Sequence, residues 1–202
     1  MKQATLLAFF IGIAIFSYAA PLNENNNSRK KNPRDTSLMK ISDVQRMLQQ
    51  IIDITGLKTD FELKEANVMN IEASIAHKKR LILYNPSYIT TLNKISNNSW
   101  TVMALLAHEV GHHLNGHTMR KRGSSPELEL EADEFAGFIL NRLGATLEQS
   151  QHVMHYIAKI KGSKTHPGRN SRLLAIEKGW NRGSEFQAMN AAPNVNILLK
   201  GF

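Results

Sequence analysis

Cysteine is absent from the 202-residue sequence, which excludes disulfides, thiolate metal ligands and a cysteine nucleophile together. Any metal site must be built from histidine and carboxylate side chains, a donor set that suits catalytic more than structural zinc. Aromatic residues are few, at 7%. The 25 Lys and Arg residues outnumber 17 Asp and Glu and leave a formal net charge of +8. They are scattered rather than set in a stripe with interleaved aromatics, so a nucleic acid is not an expected partner. A basic solvated surface is the simpler reading, and it is compatible with peripheral association with an acidic membrane surface. Long apolar runs are missing as well. Beyond the N-terminus no segment approaches the ~20 residues that a membrane-spanning helix needs.

The N-terminus itself has a definite pattern. Lys2 precedes an uncharged apolar run from Leu6 to Phe16, and Ser17 and Ala19 place small residues at −3 and −1 of a cut. Residues 1–19 therefore read as a secretory signal peptide and the protein as exported, periplasmic or secreted. A cut after Ala19 is preferred to one after Ala20, which Pro21 would follow directly. An uncleaved anchor is the alternative, but the run is short for a bilayer. Residues 20–40 are polar, with an asparagine run and two prolines, and read as a flexible leader. The remainder, 42% hydrophobic over the whole chain, can bury the core of one domain over 41–180, followed by a tail over 181–202. In that tail Ile197 to Leu199 can add a short strand or contact a partner. Nothing in the pattern specifies an oligomeric state.

Within the domain the apolar period changes twice. Val44, Met47, Leu48, Ile51 and Ile52 recur at helical spacing up to Gly56, and Ser42 with Gln45 predicts a capping box at the start. Residues 61–84 alternate instead: Phe61 and Leu63, then Ile71, Ala73 and Ile75, a turn over His77 to Lys79, and the run Arg80 to Tyr84 closed by Asn85-Pro86. Two or three antiparallel strands are expected. Helices then follow from about Trp100 to His117, and from Ser125 and Pro126 to about Leu143. Another runs from a Thr146/Gln149 capping box to about Lys161, and the last from Asn170 to Lys178, stopped by Gly179. The fold expected is α+β, mostly helical, with a small antiparallel sheet.

The chemistry centres on His108-Glu109-Val110-Gly111-His112, an HExxH pattern. Residues four apart on a helix lie about 40° from each other around its axis, so both imidazoles can face one metal ion. Glu109 can then serve as general base toward a metal-activated water. The apolar segment Val102 to Ala107 before it suits a buried helix, and Gly111 suits a place where another backbone passes closely. A catalytic zinc needs a third protein ligand. Glu129 on the following helix is the candidate. Asp133, four residues on and on the same face, is placed to hold a ligating imidazole by hydrogen bonding. Glu131 points nearly the opposite way, as a solvated charge. His113 and His117 fall well over 100° off the His108/His112 face on ordinary helix geometry, and read as polar surface or secondary contacts. His152 and His155 read as structural.

Taken together, Ala107 to His113, Glu129-Leu130-Glu131-Ala132-Asp133, and Thr165-His166-Pro167 followed by Arg172 and Gly179-Trp180 resemble the zinc metallopeptidases of the HtpX and CAAX prenyl protease 1 type. The resemblance spans roughly residues 40–180. It implies a gluzincin, zincin-like metallopeptidase domain in which His108, His112 and Glu129 bind one Zn2+ and an edge strand near Asn70 to Ile75 borders the cleft. Peptides or unfolded proteins would be the substrates, and protein quality control in the cell envelope the setting. His166 corresponds to a loop histidine of that family with three open roles: oxyanion stabiliser, plug on the metal, or turn residue. Arg172 would bond a helix carboxylate. The chain lacks the several transmembrane helices of the integral-membrane members and so resembles the small exported branch. The short gap between His112 and Glu129 implies an open cleft.

Overall fold

The computed structural model describes residues 39–58, 61–120 and 123–191. The segments read above as a signal peptide and a leader, up to residue 38, and Ile197 to Leu199 lie outside them. The described chain is mostly helical with one small sheet, an α+β arrangement. Helix α1 spans Ile41–Thr55; strands β1, β2 and β3 span Phe61–Glu65, Ile71–Ala76 and Lys79–Tyr84. Helices α2 (Pro86–Ser96), α3 (Trp100–Leu114), α4 (Pro126–Arg142), α5 (Leu147–Gln151), α6 (Met154–Ile157) and α7 (Arg169–Ala191) follow.

Val44, Leu48 and Ile51 of α1 are buried, as their spacing requires. The expected capping box is not formed. The helix begins at Ile41 behind Lys40, with no side-chain cap, and Ser42 already lies inside the first turn. Gly56 ends it in the left-handed region at φ 65°, a conformation that costs glycine little.

The sheet has the order β1-β3-β2 and is mixed, not antiparallel throughout: β2 runs antiparallel to β3, whereas β1 runs parallel to it. The reason lies in the links. His77 and Lys78, both at positive φ (51° and 63°), make a two-residue hairpin turn between β2 and β3. That pairing leaves β1 the far edge of β3. Glu65 and Ile71 both flank Tyr84, so residues 66–70 need only cross the end of β3. The crossing is pinned by Ala66 N–H donating to the Tyr84 carbonyl (3.0 Å), Asn85 N–H to Asn70 (2.8 Å) and Asn85 Nδ2 to Val68 (2.9 Å). Alternation fixes which side chains share a face but is silent on strand direction.

Asn85-Pro86 does more than close a strand. The Asn85 side chain accepts from Ser87 and Tyr88 N–H, and Pro86 occupies the first turn, so an additional helix, α2, starts there. The Thr146/Gln149 capping box is present, but α5 is short and a separate turn of helix, α6, replaces the expected continuation to Lys161. The largest difference is at the C-terminal end, where α7 passes straight through Gly179 to Ala191. A Cβ at Gly179 would sit 1.8 Å from the Glu134 carbonyl oxygen, and one at Gly137 2.1 Å from that of Ile176. These glycines allow α4 and α7 to touch backbone to backbone, and Gly179 does not stop the helix.

Helix α3 runs through the centre, with residues 101–113 buried throughout. Val102, Leu106 and Val110 pack in one apolar core with Ile82, Ile89, Ile139, Leu140 and Ile176. Among the described residues no helix is long and apolar enough to cross a membrane.

Candidate metal centre

Helices α3 and α4 cross where Gly111 removes the obstacle. A Cβ there would meet the Ala132 Cα at 3.3 Å and the Phe135 side chain at 3.0 Å. This close approach brings His108 and His112 of α3 against Glu129 of α4. Their ligand atoms gather in one buried group that can hold a metal ion. His108 Nε2 lies 3.0 Å from His112 Nε2 and 3.4 Å from Glu129 Oε2, and His112 Nε2 lies 3.6 Å from Glu129 Oε1. A tetrahedral ion with bonds of 2.0–2.1 Å separates its ligands by about 3.3 Å, so the three donors are spaced to fit one. Orphaned atoms support the same reading. Glu129 Oε2, Glu109 Oε1 and His166 Nε2 are all buried without a hydrogen-bond partner, which is costly unless another group completes them.

Each donor is held from behind. Asp133 Oδ1 lies 2.9 Å from His108 Nδ1, off the line of an ideal hydrogen bond, while Arg172 grips Asp133 through two bonds of 2.7 Å. Arg172 and Asp133 are both buried. The Ser124 hydroxyl donates to Glu129 Oε1. Beyond His112, Nδ1 of His117 lies 3.0 Å from His112 Nδ1, and Nε2 of His117 lies 2.8 Å from Glu131 Oε2. His117 is fully buried, and so is His113, whose Nε2 is 2.9 Å from the Leu81 carbonyl. Neither is a surface residue. Helix α3 ends at Leu114, Gly116 turns the chain at φ 72°, and His117 comes back beneath His112 in a short 3-10 turn. Glu131 is 55% exposed in its side chain but is engaged with His117 rather than merely solvated. The rings of His152 and His155 meet edge to face, centroids 6.2 Å apart, outside this cluster.

Glu109 stands beside the group, 1% exposed, its Oε2 accepting a 2.7 Å hydrogen bond from the Ala73 N–H. Strand β2 is an edge strand, and Ala73 presents this N–H away from β3. His166 is carried on the loop between α6 and α7. The loop is pinched shut by Arg169 N–H on the Lys159 carbonyl (2.8 Å) and tied by Ser163 N–H on the His166 carbonyl (2.6 Å). Its Nδ1 is 2.8 Å from the Thr165 hydroxyl. His166 is not one of the three grouped donors.

Burial and close neighbours shift the pKa of His108, Glu109, His112, Glu129 and Asp133. Burial opposes a charge on His108, but Asp133 and Glu129 outweigh it and raise its pKa to about 10. Burial and the neighbouring His108 lower His112 to about 3. Burial raises Glu109 to about 8, against the pull of His108. Burial also pushes Glu129 and Asp133 upward, yet His108 holds Glu129, and Arg172 holds Asp133, below the usual carboxylate range. Burial lowers His166, with Glu129 opposing. Ionised Glu129 and Asp133 and a neutral His112 are the states that metal ligation and its support require, whereas His108, held protonated by its carboxylate neighbours, must give up its proton to ligate. Reading the sequence locates the three donors, Glu109, Asp133 and Arg172; it misses the His117–Glu131 link, Ser124 on Glu129 and the Ala73 N–H on Glu109. Only Gly116, a turn residue just after the motif, hints at the first of these.

Compared with known proteins, the chain matches no family model, no curated protein and no solved structure.

Proposed function

We propose that this protein is a zinc-dependent endopeptidase with a zincin-like site, in which His108, His112 and Glu129 hold the ion and Glu109 is the general base. The observation that carries this reading is the convergence of two imidazoles and one carboxylate in a buried group, with a fourth side chain, Glu109, beside it and one of its oxygens unpartnered. Two histidines and one glutamate leave a zinc ion one position short of tetrahedral, which is how catalytic sites differ from closed structural ones. When bound there, zinc lowers the pKa of water toward neutrality and polarises a peptide carbonyl.

The remaining roles belong to the chain. Glu109 takes the proton of the attacking water and passes it to the leaving amine; the positive charge of the ion favours its ionised form over the protonated one that burial alone prefers. The Ala73 N–H fixes the Glu109 carboxylate, leaving Oε1 for this task. Peptides or unfolded proteins suit the edge of β2, where an extended segment can pair through main-chain hydrogen bonds. Export and a role in envelope protein quality control belong to the same proposal, resting on the N-terminal pattern and the family resemblance. The test is Glu109→Gln. Zinc stays bound, measured by metal analysis, while hydrolysis of an unfolded protein such as casein falls by about 10²–10⁴-fold. Full activity in that variant would end the assignment.

A second reading keeps the metal and drops the turnover: a latent or non-catalytic chaperone-like module with His166 as a plug on the ion. The buried, unpartnered His166 Nε2 favours giving that ring a role, either on the ion or on the oxyanion of the scissile carbonyl. His166→Ala separates the two. Activity rises if the ring is a plug and drops, with zinc retained, if it stabilises the oxyanion.

A further inference from the structure

The His112 side of the metal centre is supported by residues that the reaction above leaves unused. His108 has a carboxylate directly at its Nδ1, whereas His112 reaches one only through another imidazole. His112 Nδ1 is 3.0 Å from His117 Nδ1, and His117 Nε2 is 2.8 Å from Glu131 Oε2. The His112 and His117 rings stand edge to face, with centroids 5.1 Å apart, and both residues are buried.

Proton counting gives this contact a direction. Two imidazole nitrogens facing each other share one proton. An imidazole that offers Nε2 to a cation keeps its single N–H on Nδ1, so His112 donates and His117 Nδ1 accepts. The proton of a neutral His117 then sits on Nε2, where the Glu131 carboxylate accepts it. In the opposite direction His117 donates from Nδ1. Its bare Nε2 would then face a carboxylate, and the His112 proton would move to the nitrogen that the metal needs.

We propose that His117 and Glu131 are positioning residues, joined to His112 by a hydrogen-bonded chain that fixes its tautomer and ring orientation and leaves Nε2 available for the ion. The inference rests on the metal-site reading above. It gives the two ligand histidines different supports: Asp133 with Arg172, wholly inside the protein, for His108, and an imidazole relay ending at a half-exposed carboxylate for His112. Partners of this kind typically change metal affinity 10–100-fold when removed.

Two measurements test it. Ring-selective proton–nitrogen NMR of the metal-free chain should find His117 in the Nε2–H form and His112 in the Nδ1–H form. Zinc affinity, by competition with a chromophoric chelator, should fall about 10–100-fold in His117→Phe, which fills the space without an acceptor. His117→Gln, whose carbonyl can accept from His112, should recover most of the loss. Glu131→Ala should weaken binding by a smaller factor, and Glu134→Ala, a neighbouring carboxylate outside the chain, should leave it unchanged. His117 found in the Nδ1–H form, or wild-type affinity in folded His117→Phe, would overturn the proposal. If His117→Phe does not fold, wild-type affinity in Glu131→Ala overturns it instead. A wild-type chain that takes up no zinc would sink the peptidase reading, while the tautomers of the metal-free protein still decide the hydrogen-bonded chain.

Discussion

The helices and the sheet contribute to the candidate site in different currencies. All three donor side chains, and Glu109, come from α3 and α4, where they are buried and each is braced by a second side chain or a backbone group. The sheet places none of its side chains in the metal group; its contribution is one N–H, that of Ala73 on the edge strand β2. A helix fixes side chains four apart on one face, which suits chemistry that tolerates little displacement. An edge strand offers its backbone to any extended sequence, which suits recognition of many substrates. Damage to the first half should therefore strike metal binding and folding together, and damage to the second should strike substrate binding alone.

The strongest blow to the helical half is Arg172→Met. It leaves Asp133 buried with only His108 as a partner, and breaking such a pair costs about 3–5 kcal/mol. A large drop in melting temperature, together with weaker zinc uptake, is the expected outcome of thermal denaturation and metal titration. Ile75→Pro probes the other half. Ala73 directs its N–H away from β3, so Ile75, two residues on, does the same. Proline there removes a donor from that edge while sparing the ladder. With one hydrogen bond worth about 0.5–1.5 kcal/mol, KM should rise roughly three- to tenfold with zinc affinity and kcat near wild type. Equal losses in zinc affinity and KM would erase the distinction between the halves.

A smaller effect sharpens it through pH. His108 has its folded pKa raised to about 10, so in the metal-free protein its contribution to stability is complete below the unfolded value near 6.5 and is lost as pH rises through 10. Zinc needs that imidazole neutral. Melting temperature measured across this range should decline without zinc, and the stabilisation added by zinc should grow over the same interval. A flat metal-free profile would show that the His108–Asp133–Glu129 cluster is not electrostatically coupled as described.

The helical half was also the more legible in sequence. His108, His112 and Glu129 are set by helical spacing and by a short link, and the structure brings them together; Asp133 lies against His108, and the helix carboxylate that Arg172 bonds is Asp133 itself. What escaped was set by turns. The angular argument that placed His117 away from His112 assumes an unbroken helix, but α3 ends at Leu114 and Gly116 reverses the chain. Gly179 reads as a stop by local propensity, yet packing against the Glu134 carbonyl outweighs that preference. The direction of β1 follows from how residues 66–70 cross the end of β3, which no period in the sequence encodes.

The central claim is a matter of atoms around one ion, and zinc-edge anomalous diffraction from a zinc-loaded crystal tests it most directly. The account predicts a single strong peak about 2.0–2.2 Å from Nε2 of His108, Nε2 of His112 and a carboxylate oxygen of Glu129. Glu109 would lie close by without ligating. A peak elsewhere in the chain, or one coordinated without Glu129, would contradict it.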